Sequence, residues 1–211
     1  MSTRNLDKLL SPASVVAIGA SARPGSVGAA VTRNLLGGGF KGEIHLVNLK
    51  GGEIEGRPVL KSVRELKAPP DLAVIMTPPA SVPRLVMELG QLGTRVAVVI
   101  TSGMGEDMPR WRQRILDAAK PWLMRIVGPN CIGYAAPRLG LNAGFGPTGL
   151  KPGRIAAVAQ SGAVLAGLAD WGTAQNIGFS HLVSMGDMAD VDFGDILDVL
   201  ARDYDTRAVL M

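Results

Sequence analysis

The chain has 211 residues, 47% apolar and only 4% aromatic, so its core must be Val, Leu, Ile and Ala, which suits helices packed on a buried parallel sheet. A net charge of +4 with no Lys/Arg run and no aromatic ladder argues against a nucleic-acid partner, and apolar runs such as 96–100 are too short to span a bilayer. A single cysteine excludes an internal disulfide and fits a reducing compartment, so a soluble cytoplasmic protein is the expectation.

In chain order, residues 5–10 predict a short helix stopped before Pro12, and 15–18 predict a strand. The stretch GASARPGSVG, residues 19–28, then forms a glycine-rich turn into a helix over 27–36. Such a turn gathers backbone N–H groups and a helix N-terminus at one point, a geometry that suits a phosphate. Strands are predicted at 43–47, 72–76, 95–100 and 125–127, with a helical turn at 63–66 and helices at 82–92 and 109–119. Strict strand–loop–helix alternation argues a doubly wound α/β sheet, whose ligands lie beyond the carboxyl ends of the strands. The loops opening at Gly19, Asn48, Thr77 and Thr101 should therefore line one crevice.

Residues 135–151, rich in Gly, Pro and Asn, read as a crossover. A second α/β cycle follows, with strands at 154–159, 178–184 and 206–211 and helices at 163–175 and 193–202. The expected organisation is a Rossmann-like domain over 1–133, a linker over 134–150 and the first half of a flavodoxin-like domain over 151–211. A chain that stops within its last predicted strand reads as part of a longer protein.

An NAD site needs a carboxylate after the second strand to take the ribose hydroxyls. Here Asn48 and Lys50 stand there, and Arg23 adds a second cation in the glycine loop. The crevice thus prefers a ligand with a phosphate on its ribose. NADP, in a redox module, and coenzyme A both qualify, and the residues alone leave the two open.

The stretches LSPASVVAIGAS (10–21), PGSVG (24–28), NLLGGGF (34–40), PDLAVI (70–75), GPNCIG (128–133), GLNA (140–143), QSGA (160–163) and GFS (178–180) resemble the NDP-forming acyl-CoA synthetase superfamily. That superfamily includes succinyl-CoA synthetase α subunits, ADP-forming acetyl-CoA synthetases and the N-terminal region of Pat-type protein lysine acetyltransferases. The resemblance spans nearly the whole chain in order and implies that the first domain binds coenzyme A or an acyl-CoA. It places residues 21–27, among them Ser21, Arg23, Pro24, Gly25, Ser26 and Val27, at the phosphates and Lys50 near the adenosine end, counts Gly19, Ala20 and Asn48 among the cofactor-binding residues, and sets Thr77, Pro78, Pro79, Ser102 and Gly103 on loops that flank the pantetheine and adenine. It also matches Ser161, Gly162 and Ala163 to a helix start that stabilises a phosphohistidine. An ordinary Ser-capped helix explains the same three residues.

The resemblance puts the phosphorylated histidine beyond Met211, so no catalytic residue is expected within this chain. ATP or ADP and Mg would act only through an ATP-grasp domain or subunit elsewhere. A Pat-type parent would instead sense acyl-CoA and act on protein substrates, and a homo-oligomer is open. The two histidines, His45 and His181, read as structural strand residues, and Cys131 as a packed small residue. No His/Cys/Asp cluster has metal spacing. Asn130 holds a turn or faces the junction of the domains. Asp187 faces a phosphotransfer site or belongs to an acidic stretch whose residues near 190–195 cap a helix.

Overall fold

The computed structural model describes residues 2–211. In chain order it contains α1 (Asp7–Leu10), β1 (Ser14–Ile18), α2 (Val27–Gly37), β2 (Glu43–Val47), β3 (Gly52–Ile54), β4 (Arg57–Leu60), β5 (Leu72–Ile75), α3 (Val82–Leu92) and β6 (Val96–Val99). It continues with α4 (Met108–Ala119), β7 (Arg125–Val127), β8 (Gly133–Ala136), β9 (Leu141–Gly144), β10 (Pro152–Ala159), α5 (Gly162–Ala174), β11 (Phe179–Ser184), α6 (Phe193–Leu200) and β12 (Ala208–Leu210). The α/β class expected from the alternation is the class observed.

The first sheet runs β3-β4-β2-β1-β5-β6-β7, parallel apart from the β3–β4 pair. Its six parallel strands, counted along the chain, lie in the order 3-2-1-4-5-6 of a dinucleotide-type fold. The order reverses between β1 and β5, and the crevice outside their carboxyl ends is where such folds take ligands. The short β3–β4 hairpin has no counterpart in the sequence reading, which ran from the second strand straight to a helical turn. Gly51, Gly52 and Pro58 obscure its alternation, and each strand is too short to show a period.

The second sheet runs β12-β10-β11-β8-β9, with β12, β10 and β11 parallel and β8 and β9 antiparallel. The expected crossover at 134–150 is therefore a correction: it carries most of a β-hairpin that extends this sheet. Buried Tyr134 anchors it, with its hydroxyl 2.7 Å from His181 Nδ1.

Alternation along β1 sends Val15 and Ala17 to one face and Val16 and Ile18 to the other. The first face shares one continuous apolar core with α1, α2, the β8–β9 hairpin, α6 and the inner face of the second sheet. The other face is covered by α3 and α4, while α5 covers the outer face of the second sheet.

The two sheets are also tied by hydrogen bonds. Segment 187–191 runs along the free edge of β7, where Val191 N–H donates to Ile126 O (3.0 Å) and Ala189 N–H to Gly128 O (2.8 Å). Buried Arg125 donates to Asp190 (2.8 Å), to Asp195 (2.7 Å) and to the Ser2 carbonyl. No helix among the described residues is long and apolar enough to cross a membrane.

Candidate functional site

The glycine turn is built by backbone hooks. Gly19 leaves β1 with φ +96°, and the N–H groups of Gly19 and Ala20 both donate to Val47 O at the end of β2 (2.9 and 3.2 Å). Asn48 closes the loop from the other side, its Nδ2 donating to Ala20 O (2.8 Å). The position that an acid would hold in an NAD site is thus a structural clamp. Ser26 caps α2: its hydroxyl accepts from Ala29 N–H (3.2 Å) and donates to Arg23 O (2.8 Å). The first turn leaves the N–H groups of Val27 and Gly28 without acceptors in the helix. Gly28 admits no side chain, because a β-carbon there would fall inside the contact radius of the Gly19 carbonyl.

At the switch point between β1 and β5 this turn opens into a cleft of about 620 Å³. Of the residues singled out in the sequence, Gly19, Ser21, Arg23, Ser26, Val27, Asn48, Lys50, Thr77 and Pro78 line it. Ala20 is buried behind the loop, and Pro24, Gly25 and Gly103 are exposed outside the cleft. The cleft also holds residues that the sequence reading missed. Lys61, just after the unrecognised β4, adds a cation close to Lys50 in the wall. Arg84 adds another from the first turn of α3 and is held by Glu88 (3.1 and 3.2 Å). Glu88 is only 3% exposed and also accepts from Arg64 (2.9 Å), so two guanidinium groups offset its burial. The Arg84–Glu88 spacing of four on a helix was the available sign in the sequence. Ile18, Val47, Val63 and Leu85 give the same cleft an apolar wall.

A second cleft, of about 600 Å³, shares Val27, Met76, Thr77 and Pro78 with the first. It leads across the junction of the two sheets to the start of α5. Pro79, Ser102, Asn130, Ser161, Gly162 and Ala163 line it. Thr101 shapes its floor by donating to Thr77 O (2.8 Å). Ser161 caps α5, accepting from Val164 N–H at 3.4 Å. Asn130, at φ +58°, both turns the chain and forms the cleft wall, with its N–H on Thr101 O (3.0 Å) and its amide on Asp187 (3.3 Å). Asp187 lies beyond it, in an adjoining shallow cleft with Arg112 and Gln160. Of the neighbouring acids, Asp192 and Asp195 form a capping box on α6, and Asp190 and Asp195 both accept from Arg125.

Cys131 and His181 are both buried. Cys131 is 4% exposed with its thiol on Val99 O (3.4 Å), and burial pushes its pKa up to about 12. His181 lies within the second sheet between the Tyr134 hydroxyl and Asp203 (3.0 Å), and His45 lies in β2 beside Glu43 (3.4 Å). Neither histidine lines either cleft.

Comparison with known proteins follows the two sheets. Residues 13–137 match the model of the CoA binding domain family, and residues 152–211 match that of the succinyl-CoA ligase like flavodoxin domain. The chain is 43% identical, over 98% of its length, to the acetate–CoA ligase (ADP-forming) I α subunit of Pyrococcus furiosus, covering 46% of that protein. It is 36% identical over 96% of its length to a 4-hydroxybutyrate–CoA ligase (ADP-forming) of Nitrosopumilus maritimus, of which it covers 30%. Among solved structures, the dinucleotide-forming acetyl-coenzyme A synthetase 1 of Ca. Korarchaeum cryptofilum, in complex with phosphate and ADP, superposes with a TM-score of 0.91 at 35% identity. That match covers 97% of this chain and 44% of the solved one. The chain thus spans half or less of the length of these relatives.

Proposed function

We propose, from the premise that this chain belongs to the NDP-forming acyl-CoA synthetase superfamily, that it supplies the CoA site and the acyl-phosphate end of an acid–thiol ligase. The observation that carries this reading is the continuity of the two clefts at Thr77 and Pro78. A ligand anchored at the glycine turn can reach the start of α5 without leaving the protein surface. Such a molecule is long, anionic at one end and reactive at the other, as CoA is.

Each part of the first cleft fits a part of CoA. The free N–H groups at the start of α2 suit the pyrophosphate, each such contact contributing about 0.3–1 kcal/mol. Arg23, Lys50, Lys61 and Arg84 supply positive charge for it and for the ribose phosphate. The wall of Ile18, Val47, Val63 and Leu85 suits the adenine. Thr77, Pro78, Pro79 and Ser102 then border the path of the pantetheine arm. Ser161, Gly162 and Ala163 present the first turn of α5 to a phosphate. Asn130 and Asp187 stand beside that turn as candidate active-site residues.

The reaction class that follows is attack of the CoA thiol on an acyl phosphate, giving a thioester and phosphate. The phosphohistidine that passes phosphate to a nucleotide, and ATP or ADP with Mg, belong to an ATP-grasp domain or subunit outside this chain. A cytoplasmic location goes with this chemistry. The curated relatives above are named as ligases, so the Pat-type alternative is not favoured.

Titration calorimetry of the chain with CoA, dephospho-CoA, NADPH and NADH tests the reading. CoA should bind most tightly. Lys50→Ala should weaken CoA about two- to five-fold more than it weakens dephospho-CoA, the scale of one exposed charge pair. Preferential binding of NADPH with no heat from CoA would overturn the assignment.

A further inference from the structure

On the CoA reading above, we propose that Arg84 reads the ribose phosphate of the ligand as part of a charge-balanced cluster with Glu88 and Arg64. Glu88 aims the Arg84 guanidinium. Arg64, outside the cleft, offsets the Glu88 charge so that a net positive charge faces the ligand. Arg84 is the third residue of α3, and Glu88 follows it by one turn. Arg64 comes from a single turn of 3-10 helix after β4, Val63–Glu65, where the Ser62 hydroxyl accepts from its N–H (3.2 Å). The two arms meet on Glu88, which is 3% exposed. Its Oε1 accepts from Arg64 Nη2 (2.9 Å) and Arg84 Nη1 (3.1 Å), and its Oε2 accepts from Arg84 Nη1 (3.2 Å). One nitrogen of Arg84 is thereby anchored, and Nη2 and Nε are left for a ligand. Arg84, Leu85 and Glu88 line the first cleft together with Lys61, Ser62 and Val63, whereas Arg64 does not. Val63 and Leu85 belong to the wall assigned to the adenine. Arg84 therefore stands at the adenosine end, where the ribose phosphate is the available anion.

Charge counting gives Arg64 its part. Arg84 with Glu88 alone would form a neutral pair, which attracts a phosphate weakly. Two guanidinium groups on one carboxylate leave a surplus of positive charge. Because Arg84 faces the cleft and Arg64 does not, the ligand meets that surplus at Arg84. Glu88 supplies the aim. A free arginine side chain samples many rotamers, and the ordering cost of binding falls when one nitrogen is already held. Glu88 and Arg64 both act through Arg84, as positioning residues.

Calorimetry with CoA and dephospho-CoA at fixed salt tests the assignment, read as the ratio of the two affinities. Arg64→Gln should lower the preference for CoA about two- to five-fold, the scale of one exposed charge pair, although the side chain lies outside the cleft. Arg64→Lys keeps the charge and should hold the preference within about twofold of the unaltered chain. Glu88→Gln should also lower the preference, even though loss of a negative charge from the cleft would by Coulomb attraction alone raise it. The Arg64 side chain is 72% exposed, so its two variants decide the matter if Glu88→Gln fails to fold. A residue that merely braced α3 would weaken both ligands alike. An unmoved ratio in Arg64→Gln, a lysine variant that loses as much as the glutamine one, or a preference raised by Glu88→Gln overturns the proposal while leaving CoA binding in place. An unaltered chain that binds no CoA would overturn the CoA reading and this assignment together.

Discussion

Replacing Arg125 by methionine tests the joint that holds the two clefts in register. The guanidinium is 4% exposed and links β7 to Asp190, Asp195 and the Ser2 carbonyl. Its removal strands two carboxylates unequally. Asp190 keeps the Ile126 N–H (2.9 Å) and is 26% exposed, so water can replace the lost partner. Asp195 is only 6% exposed and becomes the larger problem. Breaking a buried pair costs about 3–5 kcal/mol, and the relief available to Asp190 places the expected loss near about 3 kcal/mol. For a chain of this size that is a fall in Tm of about 6–12 °C. Adding Asp195→Asn removes the stranded charge and should recover at least about 1 kcal/mol relative to the sum of the single changes.

The pH dependence of the same variant gives a second reading. In the unaltered protein burial opposes the Asp195 charge, but the Ser2 N–H and Arg125 overcome it and hold the carboxyl below its ordinary 3.8. Its contribution is therefore complete above 3.8 and is lost as pH falls through the lowered folded value. Without Arg125 burial dominates and the folded value rises, so the deficit of the variant should shrink between about pH 7 and about pH 4. Urea unfolding of both proteins across that range is the assay. A loss under about 1 kcal/mol, a strictly additive double variant or a deficit that is flat with pH would refute the reasoning.

Two further outcomes follow from the buried groups of the site and its frame. Burial lowers the His181 pKa below 6.5, against the pull of Asp203, so the unfolded chain takes up the proton first. Stability from this group is complete above 6.5 and declines as pH drops through the folded value; His181→Gln should flatten that slope in urea titrations, and identical slopes would count against it. Cys131, with its pKa pushed up to about 12, should resist a maleimide at about pH 8 in the folded protein and label on unfolding, as read by intact mass. Rapid labelling of the folded chain would contradict the burial seen at Val99.

Parts of this molecule were legible residue by residue because their causes are local. The buried runs of β1, β5 and β6, the serine cap of α5 and the glycine turn each depend on neighbours within a few positions. The reading failed where the cause lies far along the chain. The β8–β9 hairpin looked like a loop because its anchor, Tyr134, finds its partner His181 only 47 residues later. Glu88 carries the sign of a surface residue, yet it is buried because Arg64 and Arg84 converge on it.

What the amino-acid order determined alone was the alternation of strands and helices, the phosphate-type turn at Gly19 and the absence of an acid after the second strand. These follow from side-chain periodicity, from backbone freedom at glycine and from the charge of single residues. Tertiary structure decided the rest. It set β4 beside β2, brought Lys61 and Arg84 into one cleft with Lys50, and packed Ile132 onto the start of α5. Each of those placements depends on hydrogen bonds and packing between segments tens of residues apart. The hydrogen bond that buried Asn34 donates through Nδ2 to Gly144 O (2.8 Å) spans 110 positions. No local pattern encodes such a contact, because its free energy exists only once both sheets have formed around one core.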